Sequence, residues 1–331
     1  MRVAVADYVT PFSGVGVMQR ELYPRLEGMG IEVIRYLPRQ PTSPGVIERT
    51  SKVFKGFFKP IPSQADVLLS LTTPFSLRAS LPTVGIVHDL RWARTKSAIG
   101  HRYRAWDLKT TVRRSAVLAT ISERTANDIK AVFPDADPQV IYPGPGQLGF
   151  TSVEGWSDQT KGNDVLLIGL APHKRNELAA QALGILREEW PGVVRGVNVS
   201  AKTKEILVAE LGAERCEFHT NVSPQELARL YGVSKYTIQL SVEEGFGMPY
   251  IEALSAGCIV IAVDQPLTEE LLGDAAVLLR DGGAESLAEQ LRNLVAPSRE
   301  RRAEQAARYS WDSFAEGIAQ ALEQAIHRHR R

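Results

Sequence analysis

Two consecutive series of short apolar runs, each run followed by a helix-length amphipathic segment, predict an α/β protein of two doubly wound, Rossmann-like domains. Three observations carry this expectation. The chain has 331 residues, enough for two ordinary domains with sizeable cores. The runs are apolar throughout rather than alternating, as in parallel strands covered on both faces. The pattern restarts after the Pro-Gly-Pro-Gly stretch at 143–146, which reads as a hinge.

In the first series the strands are VAVA (3–6), IEVIRYL (31–37), DVLLSL (66–71), TVGIVH (83–88), AVLATI (116–121) and QVIY (139–142). In the second they are DVLLIG (164–169), VVRGVNV (193–199), YTIQL (236–240) and CIVIAV (258–263). Segments 174–189, 201–212, 224–232 and 285–295 read as the intervening helices, and the tail, 298–326, as helical. Ligands of open α/β sheets bind beyond the carboxyl ends of the strands. With two such domains, the cleft between them is the expected site.

Composition narrows the class. Net charge is +1, but residues 1–148 hold 20 Lys+Arg against 12 Asp+Glu, and residues 149–331 hold 19 against 26. A first half at +8 suits either an anionic partner or a solvated basic surface. No apolar run reaches membrane-spanning length, and MRVAVADYV reads as a first strand rather than a signal peptide. Two cysteines, Cys216 and Cys258, far apart and without metal spacing, fit a reducing cytoplasm.

The segment SVEEGFGMPYIEALSAGC, 241–258, is the most informative. It follows the strand YTIQL, so Glu244 sits on the turn at that strand's carboxyl end. Gly245 and Gly247 allow unusual backbone angles and close approach of a ligand. Pro249 suits the first helical position, and Gly257 a helix stop. The first helical turn has unpaired N–H groups and the positive end of the helix dipole, an anion site best suited to phosphate. Glu252 lies one turn inside and leans back toward that end. Carboxylates there accept from hydroxyls rather than bind phosphate. Hydroxyls flanking a phosphate describe a nucleotide sugar. The bland alternative is a strand-turn-helix with two surface glutamates.

Glu244 to Gly257, E-G-F-G-x-P-x-x-E-A-x-x-x-G, resembles the E-x7-E signature of retaining glycosyltransferases with the two-domain GT-B fold, family 4, the group 1 type. IYPGPG (141–146), GLAPHKRNELAAQAL (169–183), GDAAVLL (273–279) and YSWDSFAEGI (309–318) resemble further landmarks of that family, as do SGVGVMQREL (13–22), VHDL (87–90) and TISERTANDI (120–129). The resemblance implies an acceptor-side domain at 1–147, a nucleotide-sugar-binding domain at 148–308, and a terminal helix, 309–331, placed to pack back on the first domain. It implies a hexosyltransferase, with mannosyl or rhamnosyl as candidate groups, acting from a nucleoside diphosphate sugar onto a glycan, lipid-linked or small-molecule acceptor. The activity belongs to polysaccharide biosynthesis. It implies catalytic roles for His88, Lys174 and Glu244, and donor contacts from Gly14, Gly16, Arg175, Gly245, Phe246, Gly247, Met248, Pro249 and Glu252. Glu252 would take the ribose and Glu244 the sugar. HKRN leaves open whether Lys174 or Arg175 neutralises the diphosphate. His88 reads equally as a structural histidine. Gly14-Val15-Gly16, on a loop after the first strand, is only a fragment of G-x-G-x-x-G, because position 19 is Gln. At Ser122-Glu123, helix capping by Ser122 is the stronger reading. Closure about 143–148 would exclude water.

No cofactor and no metal are expected. Asp135-Ala136-Asp137 matches the D-x-D of metal-dependent enzymes, but it lies between Pro134 and Pro138, where Asp and Pro make turns. KVFKGFFKPIP (52–62) interleaves Phe with Lys and suits either peripheral contact with an anionic membrane at its inner face or aromatic packing under a loop. No motif supports nucleic-acid binding. The rival functions are a sugar-phosphate synthase on the same fold and a non-catalytic nucleotide-sugar-binding protein. A nicotinamide oxidoreductase is disfavoured by the broken glycine fingerprint.

Overall fold

The computed structural model describes residues 1–6, 13–37, 61–71, 80–90, 98–146, 161–190 and 192–329. The chain divides into two compact units, Met1–Gly144 with Ser310–Arg331, and Pro145–Tyr309.

Unit 1 holds a six-stranded sheet of order β2-β1-β3-β4-β5-β6, in which every neighbouring pair is parallel. Its strands are β1 (Arg2–Ala6), β2 (Glu32–Leu37), β3 (Val67–Ser70), β4 (Thr83–Val87), β5 (Val117–Thr120) and β6 (Gln139–Val140). The helices described are α1 (Gly14–Gly28), α2 (Ala98–Arg114) and α3 (Glu123–Val132). The inner strands β3, β4 and β5 are buried at every position, which is why they appear in the sequence as unbroken apolar runs.

Unit 2 repeats the plan with the order β12-β11-β10-β7-β8-β9, again parallel throughout. Its strands are β7 (Gly162–Ile168), β8 (Val194–Val197), β9 (Cys216–His219), β10 (Ser234–Gln239), β11 (Ile259–Val263) and β12 (Val277–Leu279). Its helices are α4 (Asn176–Ile185), α5 (Ala201–Leu211), α6 (Pro224–Val233), α7 (Met248–Ser255), α8 (Pro266–Leu272), α9 (Ala284–Arg292) and α10 (Arg299–Ala307). One face of the sheet joins α4, α5 and α9 in a core that includes Val165, Leu183, Leu207, Ile238, Ile261 and Leu291. Two strands, β9 and β12, are absent from the sequence reading. Both are edge strands of three or four residues. An edge needs no long apolar run, and β9 carries Glu217 and His219.

The tail is not one helix. It breaks at Arg308–Ser310, and a final helix, α11 (Trp311–His329), joins unit 1. Ser310 Oγ accepts from the Ser313 amide at 3.0 Å and starts the new helix. There α11 packs on α1, β3, β4 and β5. Arg25 pairs with Asp312 at 2.7 Å, Gln139 bonds Gln324 at 2.7 Å, and Arg328 donates to the Ala116 carbonyl at 2.9 Å. No helix among the described residues is long and apolar enough to cross a membrane.

Serine caps start several helices: Ser13, Ser122, Ser200, Ser223 and Ser298 each accept from an amide three residues on, as the preference for small hydroxyl residues at this position predicts. Helix α7 is begun and ended by glycines instead. Gly247 precedes it at φ 76°. After it, Gly257 adopts φ 72°, with its amide bonded to the Leu254 carbonyl at 2.9 Å and the Cys258 amide to that of Ala253 at 2.8 Å. This is the Schellman arrangement. Two buried cations finish that end: Lys161 Nζ donates to the Ala256 carbonyl at 2.8 Å, and Arg302 donates to that of Gly257. Positive charge is favourable at a helix C-terminus.

Because a Cβ in the left-handed region costs about 1–2 kcal/mol, Gly257→Ala is expected to lower unfolding stability in urea by about that amount. Gly28→Ala, at an open position of α1, is the control and should leave stability unchanged or raise it. Equal effects from the two would remove the backbone explanation.

Candidate functional site

In unit 2 the chain order runs outward from β7 in one direction and from β10 in the other. Their adjacent carboxyl ends form the topological switch point, where open α/β sheets bind ligands. Two loops leave it, one after β7 and one after β10, and each delivers a charged side chain.

After β7, Gly169 turns the chain at φ 104°, and Pro172–Lys174 form a single 3-10 turn. The Asn176 side chain donates to the Gly169 carbonyl at 2.7 Å and closes the loop. A Cβ at Gly169 would stand 3.1 Å from Lys174 Cγ, so the glycine makes room for the lysine stem. Lys174 Nζ then reaches Glu244 Oε1 on the loop after β10, at 2.5 Å, with only 18% and 11% of the two side chains exposed. His173 Nε2 stands 3.6 Å from the same oxygen. Arg175, at φ 54°, turns elsewhere and pairs with Asp281 at 2.7 Å. The two cations that the sequence left undecided thus separate: Lys174 meets the acidic residue of the switch point, and Arg175 meets the loop after β12.

Glu252 is 8% exposed. Its Oε2 accepts from the Tyr231 hydroxyl at 2.8 Å. Its Oε1 faces Gly146, where a Cβ would lie 1.6 Å away. The bond ties it to Tyr231 of α6, whose hydroxyl also stands 3.5 Å from the Pro249 carbonyl in the first turn of α7. Burial pushes its carboxyl above the ordinary range, while the Tyr231 hydrogen bond and the Lys174 charge pull it down. Burial, then the Glu252 charge, push the Tyr231 phenol well up, so this phenol stays protonated and donates.

Around the turn, Gly245 and Gly247 are buried, and Met248 and Pro249 half-buried. Pro249 takes the second helical position rather than the first, where its missing N–H is still no loss. A Cβ on Gly247 would meet the Tyr250 ring at 2.4 Å. The Phe246 ring is 3% exposed and packs edge-on against Tyr309, with centroids 5.7 Å apart.

Three candidates fall in unit 1. Gly14 and Gly16 do not sit on a glycine loop. They form the first turn of α1, and the Gly16 amide is taken by Ser13 Oγ at 3.0 Å. The serine cap outweighs the glycines' weak helix preference. His88 lies just past β4, with Nε2 at 2.6 Å from the Leu71 carbonyl. Since a carbonyl only accepts, that nitrogen carries a proton. Asp135 and Asp137 are exposed in a turn closed by Ala136 N–H to the Phe133 carbonyl at 2.9 Å. Among the described residues no cluster of three or more His, Cys, Asp or Glu is arranged to hold a metal. The Phe/Lys stretch at 52–60 and the end of the hinge at 147–148 lie outside the described residues.

Tyr231, Asn176, Asp281 and Gly146 were not singled out from the sequence. Tyr231 reads there as an apolar position on an amphipathic helix, and nothing local links it to a glutamate 21 residues on.

Two parallel six-stranded α/β units, with charged loops at a switch point, define a GT-B fold. The solved structure of Anabaena HepE in complex with UDP and glucose superposes with TM-score 0.68 at 16% identity, over 98% of this chain and 99% of that one. Residues 156–309, most of unit 2, match the family model of glycosyl transferases group 1. Among curated relatives, the GDP-mannose:cellobiosyl-diphosphopolyprenol alpha-mannosyltransferase of Komagataeibacter xylinus is 30% identical over 52% of this chain and 48% of its own length. The O-antigen chain mannosyltransferase RfbU of Salmonella typhimurium is 26% identical over 63% of this chain and 59% of its own length. The chain thus spans about half the length of the curated relatives it matches.

A raised folded-state pKa means that Glu252 contributes most to stability when protonated, and that this contribution is lost as pH rises through the raised value. Glu252→Gln is therefore expected to raise the melting temperature at neutral pH. The gain should vanish below roughly pH 4, where carboxylates are protonated in both states. A gain that persisted in acid would refute the burial argument. Gly146→Ala should lower the melting temperature, since its Cβ needs the space of the carboxylate.

Proposed function

We propose that the protein is a glycosyltransferase that moves a hexosyl unit from a nucleoside diphosphate sugar to an acceptor hydroxyl, with retention at the anomeric carbon. The observation that carries this reading is the Lys174–Glu244 contact of 2.5 Å at the switch point, with the buried Glu252 close enough to feel the Lys174 charge. A cation for the departing diphosphate and two acceptors for sugar hydroxyls then converge on one spot.

In this reading the ligand-free ion pair is a resting arrangement. The donor's diphosphate takes Lys174, and Glu244 turns to the sugar hydroxyls. The amides of Gly245 to Gly247 and the first turn of α7 face the donor phosphates. Glu252 accepts from the ribose. Arg175, next to Lys174 in the chain, stays paired with Asp281. As the bond from the anomeric carbon to the phosphate oxygen breaks, Lys174 stabilises the charge that develops on the diphosphate. The acceptor oxygen bonds to the same face of that carbon, and its proton passes to the departing phosphate oxygen. No metal or cofactor takes part in the proposal. The two curated relatives act with mannosyl groups, which makes GDP-mannose the first donor to try, with a glycan or lipid-linked acceptor.

A thermal-shift panel of GDP-, UDP-, ADP- and dTDP-sugars is expected to single out one donor, because a ligand at a hundredfold its Kd stabilises by about 2.7 kcal/mol. With that donor, Lys174→Met should lower transfer by about 100-fold or more, and EDTA should leave it unchanged. Donor binding without transfer or hydrolysis would favour a non-catalytic sensor. Loss of activity in EDTA with recovery in magnesium would overturn the metal-free mechanism.

A further inference from the structure

We propose that Tyr231 is a positioning residue for Glu252: its phenol holds one carboxylate oxygen so that the other meets the donor's ribose. The inference rests on the ribose role given to Glu252 above and adds a residue to it.

The geometry sets the two oxygens apart. Oε2 receives the Tyr231 hydroxyl at 2.8 Å. Oε1 packs against Gly146, in the place that a Cβ there would take. A carboxylate held by one oxygen cannot rotate without breaking that bond, so the direction of the second oxygen is set in advance.

Tyr231 is itself fixed. Its side chain is fully buried, and its carbonyl receives Lys161 Nζ at 3.2 Å and Cys258 Sγ at 3.2 Å. The same ammonium donates to the Ser234 carbonyl at 3.2 Å and to the Ala256 carbonyl at 2.8 Å. Lys161 therefore ties the end of α6, which carries Tyr231, to the end of α7, which carries Glu252. Both partners of the hydrogen bond hang from one anchor.

Among the described residues, the titratable groups that act on the Glu252 carboxyl are Tyr231 from α6 and Lys174 from the loop after β7. Both favour the ionised carboxylate against the cost of burial. An ionised carboxylate accepts from hydroxyls, whereas a protonated one offers less. Tyr231 thus fixes one oxygen of the group and favours its charge against burial.

Tyr231→Phe keeps the ring and removes only the hydroxyl. For the variant, the expected KM for the donor rises about tenfold, the worth of one hydrogen bond to a charged group, with kcat within about twofold. The acid limb of kcat/KM moves to higher pH. The penalty for a donor whose ribose hydroxyls are replaced by hydrogen shrinks, because the native advantage has already been lost. Site-specific 3-fluorotyrosine at position 231, nearly isosteric and a stronger donor, should move the acid limb the other way and keeps the test open should Tyr231→Phe fold poorly. An unchanged KM and pH profile in both proteins overturns the proposal. Glu252→Gln is measured alongside: if it leaves the donor KM unaltered, the ribose assignment fails first, and the two failures are told apart.

Discussion

A single buried ammonium organises the second unit. Lys161 is 6% exposed and spends its donors on carbonyls at the ends of two helices and the start of a strand. Burying a charge is costly unless it is fully hydrogen-bonded. Here the partners are the carbonyls that helix ends leave unsatisfied. The arrangement solves two problems with one group, and it sets where α7 lies along its own axis. The glycine turn, the first helical turn and Glu252 all follow from that placement.

The site is built on contrast between two carboxylates. Glu244 stands on a loop and is paired directly with a lysine. Glu252 stands inside a helix, buried, with a phenol as its near neighbour. The first is held by an ion pair. The second is held by a phenol. The two thus sit side by side beyond the end of one strand, and the left-handed glycines on either side of α7 let the backbone turn sharply there.

Much of the fold was legible in the residues because central strands of a parallel sheet are covered on both faces. VLLS, TVGIV, VLAT and IVIAV stand out for that reason. Edge strands lack the constraint, and β9 and β12 went unseen. The glycines at 14 and 16 read as a loop, but the serine immediately before them caps a helix that starts there. The burial of the Phe246 ring was not legible from its motif: an aromatic ring gains by leaving water, and the partner it packs on, Tyr309, is far along the chain.

The sequence by itself determined the central strands of both sheets, the two-unit plan, and the strand-turn-helix that holds Glu244 and Glu252. Those features depend on local backbone preferences and on apolar periodicity, which adjacent residues encode. Only the tertiary structure decided that Lys174 and not Arg175 meets Glu244, 70 residues away, and that Tyr231 holds one oxygen of Glu252. Such pairings arise when parallel crossovers bring distant strand ends side by side. Which side chain of a neighbouring pair then turns inward depends on one left-handed residue in a loop and on the space beside it.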